Sequence, residues 1–325
     1  MESRAMIRLS REVSVVGLGT WQLGADWGDV REGAARATLE AAISGGVTFF
    51  DTADVYGDGR SERFCAGLRK RHPEVFIATK MGRRVDQEAE NYNRDNFLAW
   101  NDRSRENLAA EQLDLVQLHC PPDGVYEDDG VFGALDEMVS VGRIAAYGVS
   151  VETCAQALAA IARPGVATVQ IILNCFRHKP LEAVLPAARD AGVGIIVRVP
   201  LASGLLSGRY DENTTFAAED HRNYNRSGAA FDVGETFAGV PFEIGVAAAR
   251  ELSALVDPGV TLAQFALRWV IDQPGVSTVI PGARSPEQVA GNVASARLPP
   301  LREEQLRGVR DVYDLLIREH VHDRW

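Results

Sequence analysis

The stretch from Arg31 to Tyr56 reads REGAARATLEAAISGGVTFFDTADVY, and it carries the repeating unit of the chain. Ala34, Ala35, Thr38, Leu39, Ala42 and Ile43 recur at helical spacing, which predicts a helix over 31–44 with one apolar face. Gly45 and Gly46 stop it, as glycines do at helix C-termini. Residues 47–50 are mostly apolar, the pattern of a short strand buried on both faces in a parallel sheet. Asp51 breaks that run where the strand gives way to a loop.

Working outward, the same alternation recurs. Further strands are expected at 13–17, 75–79, 115–118, 145–149, 168–173, 194–199 and 277–280. Helical patterns occupy 94–108, 131–141, 152–162, 181–191, 242–256 and 262–273. Strand then helix, about eight times over, predicts an α/β fold of the (β/α)8 TIM-barrel class in a single domain over 1–325. Three segments exceed that plan: an expected hairpin across the barrel bottom at 1–12, a long polar loop at 210–240, and an extra C-terminal helix within 301–325. A loop as long as 210–240, rich in aromatics, reads as a lid over a site. A doubly wound sheet would want G-x-G-x-x-G after its first strand; here Gly17 and Gly19 are followed by Gln22, and the third glycine is missing.

The 325 residues include 45 acidic and 34 basic side chains, a net charge of −11, which disfavours nucleic acid or an anionic membrane as partner. No run of apolar residues is long enough to span a bilayer. Four cysteines at irregular spacing fit neither a disulfide framework nor a zinc site, so a reduced, cytoplasmic protein is expected, possible as a homo-oligomer. No metal site is expected, since only Asp51 and His119 offer ligands at the rim. His72, His178, His221, His320 and His322 show no ligand spacing and read as surface residues.

In such a barrel chemistry sits where strands end. Asp51, Lys80 and His119 end three consecutive strands, and Tyr56 follows Asp51 by five residues. A lysine among apolar strand residues needs a partner, and Asp51 is the natural one. A tyrosine hydroxyl, with an ordinary pKa of about 10, becomes a better acid beside an ammonium. The set suits protonation of an alkoxide, with His119 orienting a carbonyl.

The segments F-F-D-T-A-D-V-Y-G, A-T-K-M-G and Q-L-H resemble the catalytic segments of the aldo-keto reductase superfamily, over about residues 7–297. Its bacterial reductases and its potassium-channel β-subunit-like members are similar. The resemblance implies NADPH-dependent carbonyl reduction of a small molecule, with Tyr56 as general acid, Lys80 its tuner, Asp51 the partner of Lys80 and His119 the carbonyl orienter. A cofactor-sensing protein with little turnover is the other function this fold implies.

For the NADPH/NADP+ cofactor, two late segments have the right chemistry. Small residues after strand seven let backbone N–H groups approach a pyrophosphate: Pro200, Leu201, Ser203, Gly204, Leu206 and Gly208, with Arg209 as charge partner. Ser285 before Pro286 opens a helix, and helix N-termini favour anions. The resemblance implies that Arg284 beside Gly282 meets a 2′-phosphate, that Gln288 and Asn292 meet the adenosine, and that Ser150, Gln170 and Asn174 surround the nicotinamide carboxamide. The resemblance also implies that Trp21, at the end of strand one, belongs to the pocket wall and that Thr20 and Trp21 meet the cofactor. Trp27, Val55, Met81, Trp100, Cys120 and Phe176 are expected pocket neighbours. Three positions depart from the family pattern: Val151, Leu173 and Arg198, the last where an aromatic ring commonly stacks on the nicotinamide. Arg198 is expected either to stack there, disfavouring the cationic oxidised cofactor, or to pair with a carboxylate.

Overall fold

The computed structural model describes residues 1–24 and 31–325. Two antiparallel strands, β1 (Ser3–Met6) and β2 (Arg11–Ser14), form the N-terminal hairpin. Eight parallel strands follow: β3 (Leu18–Gly19), β4 (Phe49–Asp51), β5 (Phe76–Met81), β6 (Leu115–His119), β7 (Tyr147–Ser150), β8 (Val166–Ile172), β9 (Gly194–Arg198) and β10 (Val276–Val279). They neighbour one another in chain order. Parallel bridges Val16–Val279 and Gly19–Gly282 join the first to the last, closing a (β/α)8 barrel.

Strand one is corrected. The expected 13–17 strand divides: residues 13–14 pair in the hairpin, Val16 bridges Val279 in the barrel, and the regular barrel strand is Leu18–Gly19. Both parts satisfy the same β pattern, so local sequence does not separate them. The helix Arg94–Leu108 lies at its expected bounds, whereas Arg60–Arg71 is an additional helix. Its face is built around Ser61, Glu62, Cys65 and Leu68, too polar for an apolar stripe to reveal it. The C-terminal helix runs Glu303–Val312 and continues through a π-turn at Tyr313–Ile317.

Inside the barrel, period-two alternation sorts side chains by height. Phe49, Phe76, Ala78, Leu115 and Ile196, with Met6 and Val13 of the hairpin and Ile280, form an apolar lower plug. Two residues further along three of these strands come Asp51, Gln117 and Arg198, and Lys80 lies two beyond Ala78. The lumen therefore turns from apolar to charged toward the strands' C-terminal ends. A larger apolar layer lies between barrel and helices. Among the described residues, no helix is long and apolar enough to cross a membrane.

Candidate active site

Asp51 and Lys80 form an ion pair on neighbouring strands at 3% and 1% exposure. A buried pair needs its remaining polar valences met. Lys80 Nζ also donates to the Thr52 carbonyl at 3.0 Å. The other Asp51 oxygen accepts from Gln117 Nε2 at 3.1 Å and Gln170 Nε2 at 2.8 Å. The lysine is thereby fixed with a donor toward Tyr56 Oη, 3.5 Å away. Tyr56 lies beside Trp21 and edge-on to His119, with ring centroids at 6.1 and 6.0 Å.

Electrostatics assign protonation states. Burial raises Tyr56 above its ordinary value, with Asp51 and Glu235 adding to the rise and Lys80 opposing it. The net direction is opposite to that expected from the lysine alone: Tyr56 holds its proton at rest. Burial pulls Lys80 down, but Asp51 and Tyr56 together carry it above the usual lysine range. His119 is held well below its ordinary value by burial, then by Arg83, Lys80 and Arg198, and so remains a neutral imidazole.

A second buried ionic cluster adjoins His119. Arg198 donates to Glu152 at 2.7 Å and to the Val151 carbonyl at 3.0 Å, and lies 3.6 Å from Glu235. Arg83 donates to Glu235 at 2.8 Å and Glu152 at 3.2 Å. Arg198 is therefore carboxylate-paired, the second of the two alternatives its sequence position offered. Burial opposes ionisation of Glu235, but Arg83 and Arg198 pull it below the usual range. Glu152 is displaced upward by burial and by its negative neighbour. Cys120, Glu152 and Glu235 bring ligand atoms within 4.8 Å of one another, a grouping absent from the sequence-based expectation of metal ligands. Arg198 already supplies that cluster with a cation.

The rim opens into a cleft of about 760 Å³. It is lined by Tyr56, His119, Asp51, Thr20, Trp21, Ser150, Gln170, Arg198, Pro200, Leu201, Ser203, Gly204, Arg209, Gly282, Arg284, Gln288 and Asn292 among the residues predicted from sequence. Lys80 lies beneath them. Three others do not line it. Asn174 donates to the Val199 carbonyl and caps its own turn through the Phe176 N–H. Leu206 is a core residue, and Gly208 has φ +70°, closing a 3-10 turn. Of the expected pocket neighbours, Val55, Met81, Trp100, Cys120 and Phe176 lie off the cleft, and Trp27 falls outside the described residues.

The late loops are shaped for close approach. Val199, Ala202 and Ser203 have φ near +50°, and Gly204 has φ +99°. Ser285 caps the helix Pro286–Ser295 by accepting from Gln288 N–H. A Cβ on Gly282 would meet the Gln22 side chain at 2.1–2.3 Å. The side chains of Arg209 and Arg284 have no ion-pair partner among the described residues, unlike the many paired arginines of this acidic chain. Two guanidiniums unpaired among the described residues and a capped helix start fit a phosphorylated dinucleotide.

The structure also adds Gln22, Tyr210, Arg222, Glu235, Thr261 and Gln264 to the lining. Tyr210, Arg222 and Glu235 come from the 210–240 segment, so that loop does face the site. His221, expected at the surface, is fully buried 5.1 Å from the Trp21 ring. His322 is buried as well, bonded to Tyr313 Oη at 2.8 Å, and His178 stacks on Tyr313. The aromatic partners of His221 and His178 are distant in sequence, where periodicity carries no signal.

Three relatives frame this geometry. The aldo-keto reductase YhdN of Bacillus subtilis (strain 168) is 30% identical over 297 residues, 89% of this chain and 87% of that protein. The glycerol dehydrogenase AKR11B4 of Gluconobacter oxydans superposes with a TM-score of 0.79 at 29% identity, covering 98% of this chain and 96% of that one. An aldo-keto reductase from Klebsiella pneumoniae, solved in complex with NADPH, shares the fold with a TM-score of 0.69 at 24% identity, covering 96% of each. The Aldo/keto reductase family profile matches residues 15–314, and this chain belongs to that family of oxidoreductases.

Proposed function

We propose that the protein is an NADPH-dependent reductase of small aldehydes or ketones, with Tyr56 as general acid. The observation that carries this reading is the chain of contacts Asp51–Lys80–Tyr56, with Asp51 and Lys80 buried and Tyr56 lining the cleft. Arg284 and the capped helix start would hold a 2′-phosphate, Arg209 and the Pro200–Gly204 turn the pyrophosphate, and Ser150 with Gln170 the carboxamide. When bound, NADPH supplies a hydride to carbonyl carbon.

The chain's own residues handle the oxygen. The neutral His119 offers an N–H to the carbonyl oxygen and orients it. Tyr56 Oη keeps its proton at rest and gives it up as alkoxide character develops. The Lys80 ammonium then faces the tyrosinate, and Asp51 keeps Lys80 charged and in place. Such positioned proton transfer contributes about 10²–10⁴-fold to rate.

The test is loss of NADPH absorbance against a panel of aldehydes, ketones and open-chain sugars, with Tyr56→Phe alongside. Turnover is expected in the parent and absent in the variant, while both bind NADPH. Full activity in Tyr56→Phe overturns the mechanism. NADPH binding without turnover on any carbonyl supports a cofactor-binding regulator instead.

A further inference from the structure

Glu235 reaches the site from a segment that the barrel does not itself hold. Residues 232–239 contain two short turns, and Phe237 and Ala238 have φ of +55° and +59°. Non-glycine residues persist in that region only where surrounding contacts fix them. On the inner side the fixing contacts are Arg83 to Glu235 and the Ser203 hydroxyl, which donates to the Glu235 carbonyl at 3.2 Å and accepts from Phe237 N–H at 3.1 Å.

On the outer side the contacts converge on Trp325. Its indole N–H donates to Asp232 Oδ1 at 3.0 Å, the same oxygen that accepts from Gly234 N–H. Its ring lies against Gly234 and Gly239 so closely that a Cβ on either would fall 3.0 or 2.4 Å from it. Arg177 stacks its guanidinium on that ring at 3.7 Å and is 2% exposed, and its three nitrogens have no hydrogen-bond partner among the described residues. A buried guanidinium without hydrogen-bond acceptors is costly, and the Asp232 carboxylate and the indole face together compensate it. Arg177 follows the turn after β8, so the stack ties the segment to the barrel.

We propose that Trp325 is a positioning residue for the active site: clamped between Arg177 and the 232–239 backbone, it sets Glu235 against Arg83 and Arg198 beside His119, and sets Ser203 in the cofactor-facing loop. The kinetic part of this inference rests on the reductase reading; the structural part does not.

Two measurements on the full chain test it. In Trp325→Ala, amide hydrogen exchange is expected to accelerate over 232–239 and at Ser203 while the barrel strands stay protected. Unchanged exchange there, or uniform acceleration over the whole barrel, overturns the clamp whether or not the protein is a reductase. In steady-state assays Trp325→Ala is expected to raise the carbonyl KM about tenfold or more, with a smaller change in kcat. Glu235→Gln should give a similar rise in the carbonyl KM, and the double variant should raise that KM no further, because on the carbonyl side both act through one carboxylate, while the Ser203 contact bears on the cofactor. Trp325→Phe, which keeps the ring on Arg177, should restore most of the KM. Multiplicative effects in the double variant, or failure of Trp325→Phe to recover any of the loss, overturn the proposed route through Glu235.

Discussion

Lys80→Met isolates the energetics of the buried relay. Lys80 and Asp51 are 1% and 3% exposed, so removing the ammonium strands a carboxylate away from water. Breaking a buried pair on one side costs about 3–5 kcal/mol. Here Asp51 keeps two amide donors, Gln117 and Gln170, which favours the lower end, about 3 kcal/mol. Unfolding entropy grows with length, so in this chain each kcal/mol moves Tm by about 1.5 °C, and the variant should melt about 4–5 °C lower. Adding Asp51→Asn removes the stranded charge while leaving an oxygen for the two glutamines, and should restore at least half of the loss. Thermal unfolding by circular dichroism reads both, and turnover should be lost in both. The sign with pH is also fixed. The Lys80 pKa is raised on folding, so its contribution is complete below the ordinary lysine value and disappears as pH rises through the raised one. The gap between parent and Lys80→Met should hold through neutral pH and close only in strong alkali. A Lys80→Met protein as stable as the parent, or a double variant less stable than the single one, would refute this account of the site.

Other outcomes follow from named contacts. Arg284→Ala should weaken NADPH binding about 10–100-fold and NADH binding little, by quenching of tryptophan fluorescence, since only the former carries the phosphate this guanidinium would meet. Equal losses for both cofactors would remove Arg284 from that role. His178 stacks on Tyr313 and Trp269, and burial depresses it to about 3, so it folds neutral. Stability linked to it is present above the ordinary histidine pKa and falls as pH drops toward the folded value, at about 1.4 kcal/mol per unit. The parent's Tm is expected to fall between pH 6.5 and 4, and His178→Phe, which keeps an aromatic ring in the stack, should flatten that fall; an unchanged slope would place the acid sensitivity elsewhere.

Much of the site was legible because its signals are local. A strand buried on both faces that ends on Asp51, Lys80 or His119 announces a polar residue at a rim, and period two then stacks it above the apolar plug. Ser285 before Pro286, with Arg284 preceding, likewise reads as a capped helix start within five residues. The cluster of Arg83, Glu152, Arg198 and Glu235 had no such signal. Its four members are 37 or more residues apart, and pairing across that distance depends on where two loops, the end of β9 and the 210–240 segment meet. The surface reading of His221 failed for the same reason: a histidine in a polar loop is buried only once Trp21 packs against it.

The sequence by itself determined the barrel and the meeting of Asp51, Lys80 and His119 with Tyr56 at one rim, since alternation, helix stops and strand-end polarity are properties of neighbouring residues. Only the tertiary structure decided that residues 13–14 pair in the hairpin, that burial outweighs Lys80 and raises Tyr56 rather than lowering it, that Arg198 pairs with Glu152 and Glu235, and that Trp325 lies under the segment carrying Glu235. Burial and long-range charge set each of these, and both exist only after distant parts of the chain have packed together.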